Sequence, residues 1–124
     1  MNYPHSEEEK FFGYGKGPKP TVVCLCGSTR FGKAFRDANL RETLAGNIVL
    51  TIGCDMRSDG ELFIGKPAVE LEQIKKRLDV LHLHKIDLAD EVLILNVGGY
   101  IGDSTRRELD YAVSQGKAIR YLER

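Results

Sequence analysis

The chain predicts a small doubly wound α/β domain, a parallel sheet of about four strands flanked by helices. Three observations point there. TVVCLC (21–26) is a continuous apolar run, and EVLILNV (91–97) has an apolar centre rather than an alternating one, as strands covered on both faces do. Segments of helical periodicity separate these runs, and strand–helix alternation favours parallel pairing. Right-handed crossovers then wind the sheet both ways.

Residues 1–20 read as a flexible tail, with Gly13, Gly15, Gly17, Pro18 and Pro20 opposing regular structure. Phe11, Phe12 and Tyr14 offer an alternative, a leader that docks on the body or on a neighbouring subunit. Residues 21–124 form the single domain. Its first strand, 21–26, stops at Gly27. Ser28 or Thr29 is placed to cap a helix over 30–45, striped by Phe31, Ala34, Phe35, Ala38 and Leu44 and closed by Gly46. The second strand is 47–52, followed by a loop over 53–66. Pro67 suits the first position of the next helix. Leu71, Ile74, Leu78 and Leu81 carry that helix to about Leu88. The third strand is 91–97, a glycine-rich turn covers 98–104, a helix covers 105–116, and the last strand is 117–123.

Charge narrows the function. Lys+Arg is 18 and Asp+Glu is 18, so there is no basic excess of the kind that polymeric nucleic acid selects. No apolar run approaches the ~18 residues of a membrane span. The opening MNYPHSEEEK lacks a basic segment followed by an apolar one, so no signal peptide is expected. Three cysteines, two of them in an apolar run, argue against a disulfide framework and make a cytoplasmic setting the expectation.

In a doubly wound sheet, ligands bind beyond the carboxyl ends of the strands. Two segments fall there. The first is Cys26-Gly27-Ser28-Thr29-Arg30, which offers close backbone approach, hydroxyls, a guanidinium and helix-start N–H groups, all suited to a phosphate. It competes with a plain strand–turn–helix junction in which the hydroxyls only cap. Gly27, Gly32 and Lys33 also match most of a P-loop, but Ala34 replaces the magnesium-binding hydroxyl residue and strand three ends in Asn96 rather than an acid. The second segment runs from Gly98 and Gly99 through Tyr100, Gly102, Asp103 and Ser104 to Glu108. Thr105-x-x-Glu108 has the form of a capping box, which would lock the carboxylate to the helix start. The alternative is a carboxylate poised to attack a sugar carbon.

The motifs Cys26-Gly27-Ser28-Thr29-Arg30, Glu108-Leu109-Asp110-Tyr111-Ala112 and Gly116-Lys117, in this order, resemble the nucleoside 2-deoxyribosyltransferase superfamily, which includes the 2′-deoxynucleoside 5′-monophosphate N-hydrolases. The resemblance spans about residues 21–122. Gly98-Gly99, Gly102 and Thr105-x-x-Glu108 also echo the phosphoribohydrolases that release cytokinin bases. The resemblance implies a Rossmann- or flavodoxin-like fold and a nucleoside or nucleotide substrate. It implies Glu108 as nucleophile, a glycosyl-enzyme intermediate, a phosphate turn at Gly27–Arg30, no cofactor, and a homodimer or larger homo-oligomer. Asp103 or Asp87 is the candidate acid. Asp55, His82, Asn96, Gly98, Gly99, Tyr100, Gly102 and Ser104 are candidate substrate contacts. The chain departs from the family pattern in three places. Cys24 stands where a tyrosine is frequent. His82 or Leu83 stands where an aspartate handles the base or ribose. Gly102 stands where Asp or Ser is frequent. These departures motivate an alternative, a nucleotide-binding sensor without catalysis. No metal site is expected, because His82 and His84 point to different helix faces and the cysteines form no C-x-x-C pair. Each histidine is expected at the surface or its boundary.

Overall fold

The computed structural model describes residues 17–52 and 65–124. Its elements are β1 (Val22–Cys26), α1 (Gly32–Leu44), β2 (Ile48–Leu50), α2 (Ala68–Leu88), β3 (Glu91–Ile94), a 3-10 turn (Val97–Gly99), α3 (Asp103–Ser114) and β4 (Ala118–Tyr121). All strand pairs are parallel and the order is β2-β1-β3-β4. This is the small Rossmann-like sheet that the alternating pattern predicts. No helix among the described residues is long and apolar enough to cross a membrane.

The side-chain alternation of β1 sorts the core into two halves. Val23 and Leu25 pack with Phe35 and Ala38 of α1 on one face. Val22, Cys24 and Cys26 pack on the other face with Ile86 of α2 and with Leu109 and Ala112 of α3. Two cysteines therefore project into the same layer, between the sheet and the α2–α3 pair. The chain leaves β1 toward α1 and leaves β3 toward α3, which lie on opposite faces. The order reverses between these strands, and the crevice at their carboxyl ends is the place where such sheets bind ligands.

Several boundaries and contacts correct the expectations. Helix α1 starts at Gly32, preceded by Phe31 with no side-chain cap, so neither Ser28 nor Thr29 caps it. Leu44 is 78% exposed rather than part of the buried stripe, and Glu42 is buried in its place. Strand β3 ends at Ile94, because the backbone turns into the 3-10 segment three residues later, at Val97. In α2 the core contacts are His82 and Ile86, one position off the expected leucine row. Leu78 and Leu81 of that row are 47% and 49% exposed.

Glu42 is held by Arg120 of β4 at 2.5 Å and by the Asn47 amide at 3.1 Å, while Arg120 also bonds Glu91 at 2.7 Å. The end of α1 is thereby tied to β3 and β4.

Candidate functional site

Two loops shape the crevice. After β1, the Phe31 N–H donates to the Ser28 carbonyl at 3.0 Å, and the Arg30 N–H donates to Ser28 Oγ at 3.3 Å. The N–H groups of Gly27, Ser28 and Thr29 donate to no backbone carbonyl in these loop contacts among the described residues. Gly27 is set by space: a Cβ there would lie 3.0 Å from Leu95 Cβ and 3.3 Å from the Leu95 carbonyl oxygen. Only a bare α-carbon lets the two loops start this close together. After β3, Gly98 and Gly99 have φ of +62° and +82°, the left-handed region that glycine enters without strain.

The loops meet at the rim. Arg30 donates to the Tyr100 hydroxyl at 3.3 Å, and its guanidinium lies 4.6 Å from the centre of that ring. Phe31 meets the same ring edge-on at 5.9 Å. Arg30 has no carboxylate partner among the described residues, so this cation is held by aromatic faces and stays available to an anion.

Glu108 lies on α3, the helix that follows the Gly98–Tyr100 corner. His82 and Glu108 each precede the end of their helix by six positions (82 to 88, 108 to 114), about 9 Å at 1.5 Å per residue. Both helices run antiparallel to the strands and pack on each other, so the two residues stand at one height. There they meet the face of β1 that carries Cys24 and Cys26. His82 Nε2 lies 3.3 Å from Cys26 Sγ and 3.7 Å from Cys24 Sγ. The Glu108 carboxylate borders Cys26 and His82.

The expected capping box does not form. Helix α3 begins at Asp103, its cap is Gly102 with no side-chain bond, and Thr105 is buried within the first turn. Glu108 therefore sits in the second turn and is released from any capping duty. It has no ion-pair partner among the described residues. Burial pushes its carboxyl up to about 7, with the Cys24 and Asp79 charges adding to the rise and His82 opposing it. Burial would lower the His82 pKa, but the Cys24 hydrogen bond and the Glu108 charge outweigh it and the net direction is up. Of the two thiols, Cys24 is lowered, first by the hydrogen bond from Cys26 and then by His82 against the cost of burial. Cys26 is raised by the hydrogen bond with Cys24 and by burial.

The other expected site residues divide. Asp103 and Ser104 are exposed at the start of α3, and Ser104 accepts a bond from Arg107 at 3.2 Å. Tyr100 lies at the rim and its hydroxyl comes within 3.1 Å of a Cβ placed on Gly102. Asn96 does not face a ligand: its amide donates to the Glu123 carbonyl at 2.8 Å and its oxygen accepts the Glu123 N–H at 2.9 Å. The Gly98 N–H is likewise engaged by the Glu123 carboxylate at 2.9 Å, and the Gly99 N–H by the Asn96 carbonyl at 2.8 Å. Asn96 and the Gly98 N–H fasten Glu123, and the Gly99 N–H closes the turn. Asp87 does not join the site either. It accepts a bond from Tyr111 at 2.6 Å near the end of α2, where Lys117, at the entry to β4, also binds the backbone. That is the opposite rim of the sheet. Asp55 lies outside the described residues.

His82 corrects the expectation of a surface histidine, being 6% exposed, whereas His84 is exposed. Cys24, Cys26 and His82 offer donor atoms that all lie within 4.8 Å of one another. Helix spacing could not reveal this set, because its members come from positions 56 and 58 residues apart. One usable signal was present: residues two apart on a strand share a face, so Cys24 and Cys26 had to point together. Two positions that depart from the resembled pattern, Cys24 and His82, are thus in contact with each other.

Searches of protein-family models and of curated proteins found no match to this chain.

Proposed function

We propose that the chain cleaves or transfers the N-glycosidic bond of a nucleoside or a (deoxy)nucleoside 5′-monophosphate. The observation that carries this reading is the setting of Glu108. It is a carboxylate without an ion-pair partner among the described residues, freed from helix capping and beside Cys26, the last residue of the strand that leads into the corner where Arg30 meets Tyr100. In this reading the Gly27–Arg30 turn holds the phosphate and so places the sugar. A Glu108 carboxylate oxygen attacks the anomeric carbon. The bond to the base nitrogen breaks, its electron pair leaves with the base, and the base takes up a proton. Asp103, or a water it holds at the mouth, supplies that proton. Water then displaces the carboxylate in a hydrolase, and a second base does so in a transferase.

Incubation with a panel of nucleosides and ribo- and deoxynucleoside monophosphates, followed by chromatography for free base, tests this. Release of base is the expected result. Saturable binding with no release contradicts it and supports a sensor, and a preference for ribonucleotides points to a phosphoribohydrolase. Arg30→Ala is expected to cost roughly 10–100-fold in kcat/KM on monophosphates, with kcat falling as well as KM rising. Remote binding energy is used at the reacting centre, so a lost phosphate contact is felt there. The same variant should leave turnover of unphosphorylated nucleosides near the wild-type rate. Asp103→Asn should slow release most for bases that leave poorly without a proton.

A further inference from the structure

We infer that Cys24, Cys26 and His82 form a binding site for a zinc ion. The inference rests on the arrangement of the three side chains and is independent of the reading above.

Zinc holds thiolate sulfur at about 2.3 Å and imidazole nitrogen at about 2.0–2.1 Å, so a tetrahedral site needs its donors roughly 3.5–3.8 Å apart. Here Nε2 is 3.3 Å from one sulfur and 3.7 Å from the other, and all three donors lie within 4.8 Å of one another, so small side-chain adjustments bring them to that spacing. The three donors converge from two elements, β1 and α2, with Ile86, Ile94, Leu109 and Ala112 in the same core layer. Cys24 and Cys26 are fully buried. Two thiolates and a neutral imidazole around a divalent ion sum to zero charge, which suits an apolar interior. Paired thiolates with imidazole select a borderline-soft metal rather than magnesium or calcium.

A disulfide fits this pair poorly. Residues two apart on a strand have Cα atoms about 6.6 Å apart and nearly parallel Cβ directions. A disulfide brings its Cβ atoms to roughly 3.5–4.5 Å, which would buckle a central strand. The Glu108 carboxylate is not part of the convergent donor set. The site therefore has three protein ligands and a fourth position for solvent, with Glu108 as a neighbour rather than a ligand.

The test is titration of reduced, tag-free, full-length protein with zinc and, separately, with cobalt(II). One zinc per chain is expected. The cobalt form should show tetrahedral visible bands and a near-ultraviolet thiolate-to-metal transition of two-thiolate intensity. Cys24→Ser, Cys26→Ser and His82→Gln should each weaken binding by more than about tenfold. Cys54→Ser and Glu108→Gln should keep both stoichiometry and spectrum. Absence of stoichiometric zinc, a cobalt spectrum of the hydrated ion, or binding that survives His82→Gln overturns the proposal. Loss of metal in Glu108→Gln overturns the three-ligand assignment. Should the cysteine variants fail to fold, the wild-type cobalt spectrum decides alone, since it either contains the thiolate transition or does not.

Discussion

Glu108→Gln is expected to abolish base release while leaving the fold intact or firmer. The loss should be on the order of 10³–10⁶-fold in kcat, the scale at which enzymes lose a covalent nucleophile. The amide keeps the size and shape of the side chain but is far too weak a nucleophile for the anomeric carbon. Stability should move the other way. The wild-type carboxylate is half-buried, has no ion-pair partner among the described residues, and is pushed up to about 7 by its desolvation. A neutral isostere removes the cost of a desolvated charge, and a gain of roughly 1–2 kcal/mol in urea unfolding at pH 8 is expected. Activity assays and unfolding curves on the same preparation check both halves. A variant that is equally active contradicts the proposed chemistry. A variant that is inactive but clearly destabilised assigns Glu108 a packing role instead.

The second large effect concerns Arg120 and Glu42. The two partners are not equivalent, because the Glu42 side chain is 6% exposed and that of Arg120 is 42% exposed. Arg120→Met leaves the buried carboxylate only the Arg41 guanidinium at 3.8 Å and the Asn47 amide, and is expected to cost about 2–3 kcal/mol. Glu42→Gln leaves Arg120 with Glu91 and with water, and should cost only about 1–2 kcal/mol. The pH dependence has a definite sign. The Arg120 hydrogen bonds hold the Glu42 carboxyl below its ordinary value against the effect of burial, with Asn47 assisting. A lowered folded pKa means that the bridge contributes its full stabilisation above the unfolded value, about 4.3, and loses it as pH falls through the folded value. Wild-type protein should therefore lose stability in acid more steeply than Glu42→Gln. Urea midpoints between pH 3 and pH 7 would show it, and equal slopes would contradict it.

The sheet was legible because β1 is an unbroken apolar run, the other strands are mostly apolar, and two of the three helices end at a glycine. Gly46 and Gly116, at φ of +88° and +72°, follow the two helices they were expected to close. What propensity could not supply was the rotation of α2. Leucines at 71, 78 and 81 promise the buried face, yet the helix turns His82 and Ile86 inward. That choice depends on the shape of the layer formed by β1 and α3, which no local pattern encodes. The same limit hid the Cys24–Cys26–His82 set and the burial of Glu42. The corner motifs were legible in position but not in detail. Capping patterns at Ser28, Thr29 and Thr105 predicted helix starts that the backbone does not use. Asn96, Gly98 and Gly99 turned out to fasten Glu123 and the turn itself, because nothing local announces the return of β4 beside β3.

The geometry of a bound nucleotide tests the glycosidic reading most directly. A crystal structure of Glu108→Gln soaked with a deoxynucleoside 5′-monophosphate should show phosphate oxygens on the N–H groups of Gly27–Thr29 and on Arg30. The anomeric carbon should lie about 3–3.5 Å from the residue 108 side chain, within reach of attack. A nucleotide whose phosphate sits elsewhere, or whose sugar faces away from residue 108, would contradict the account.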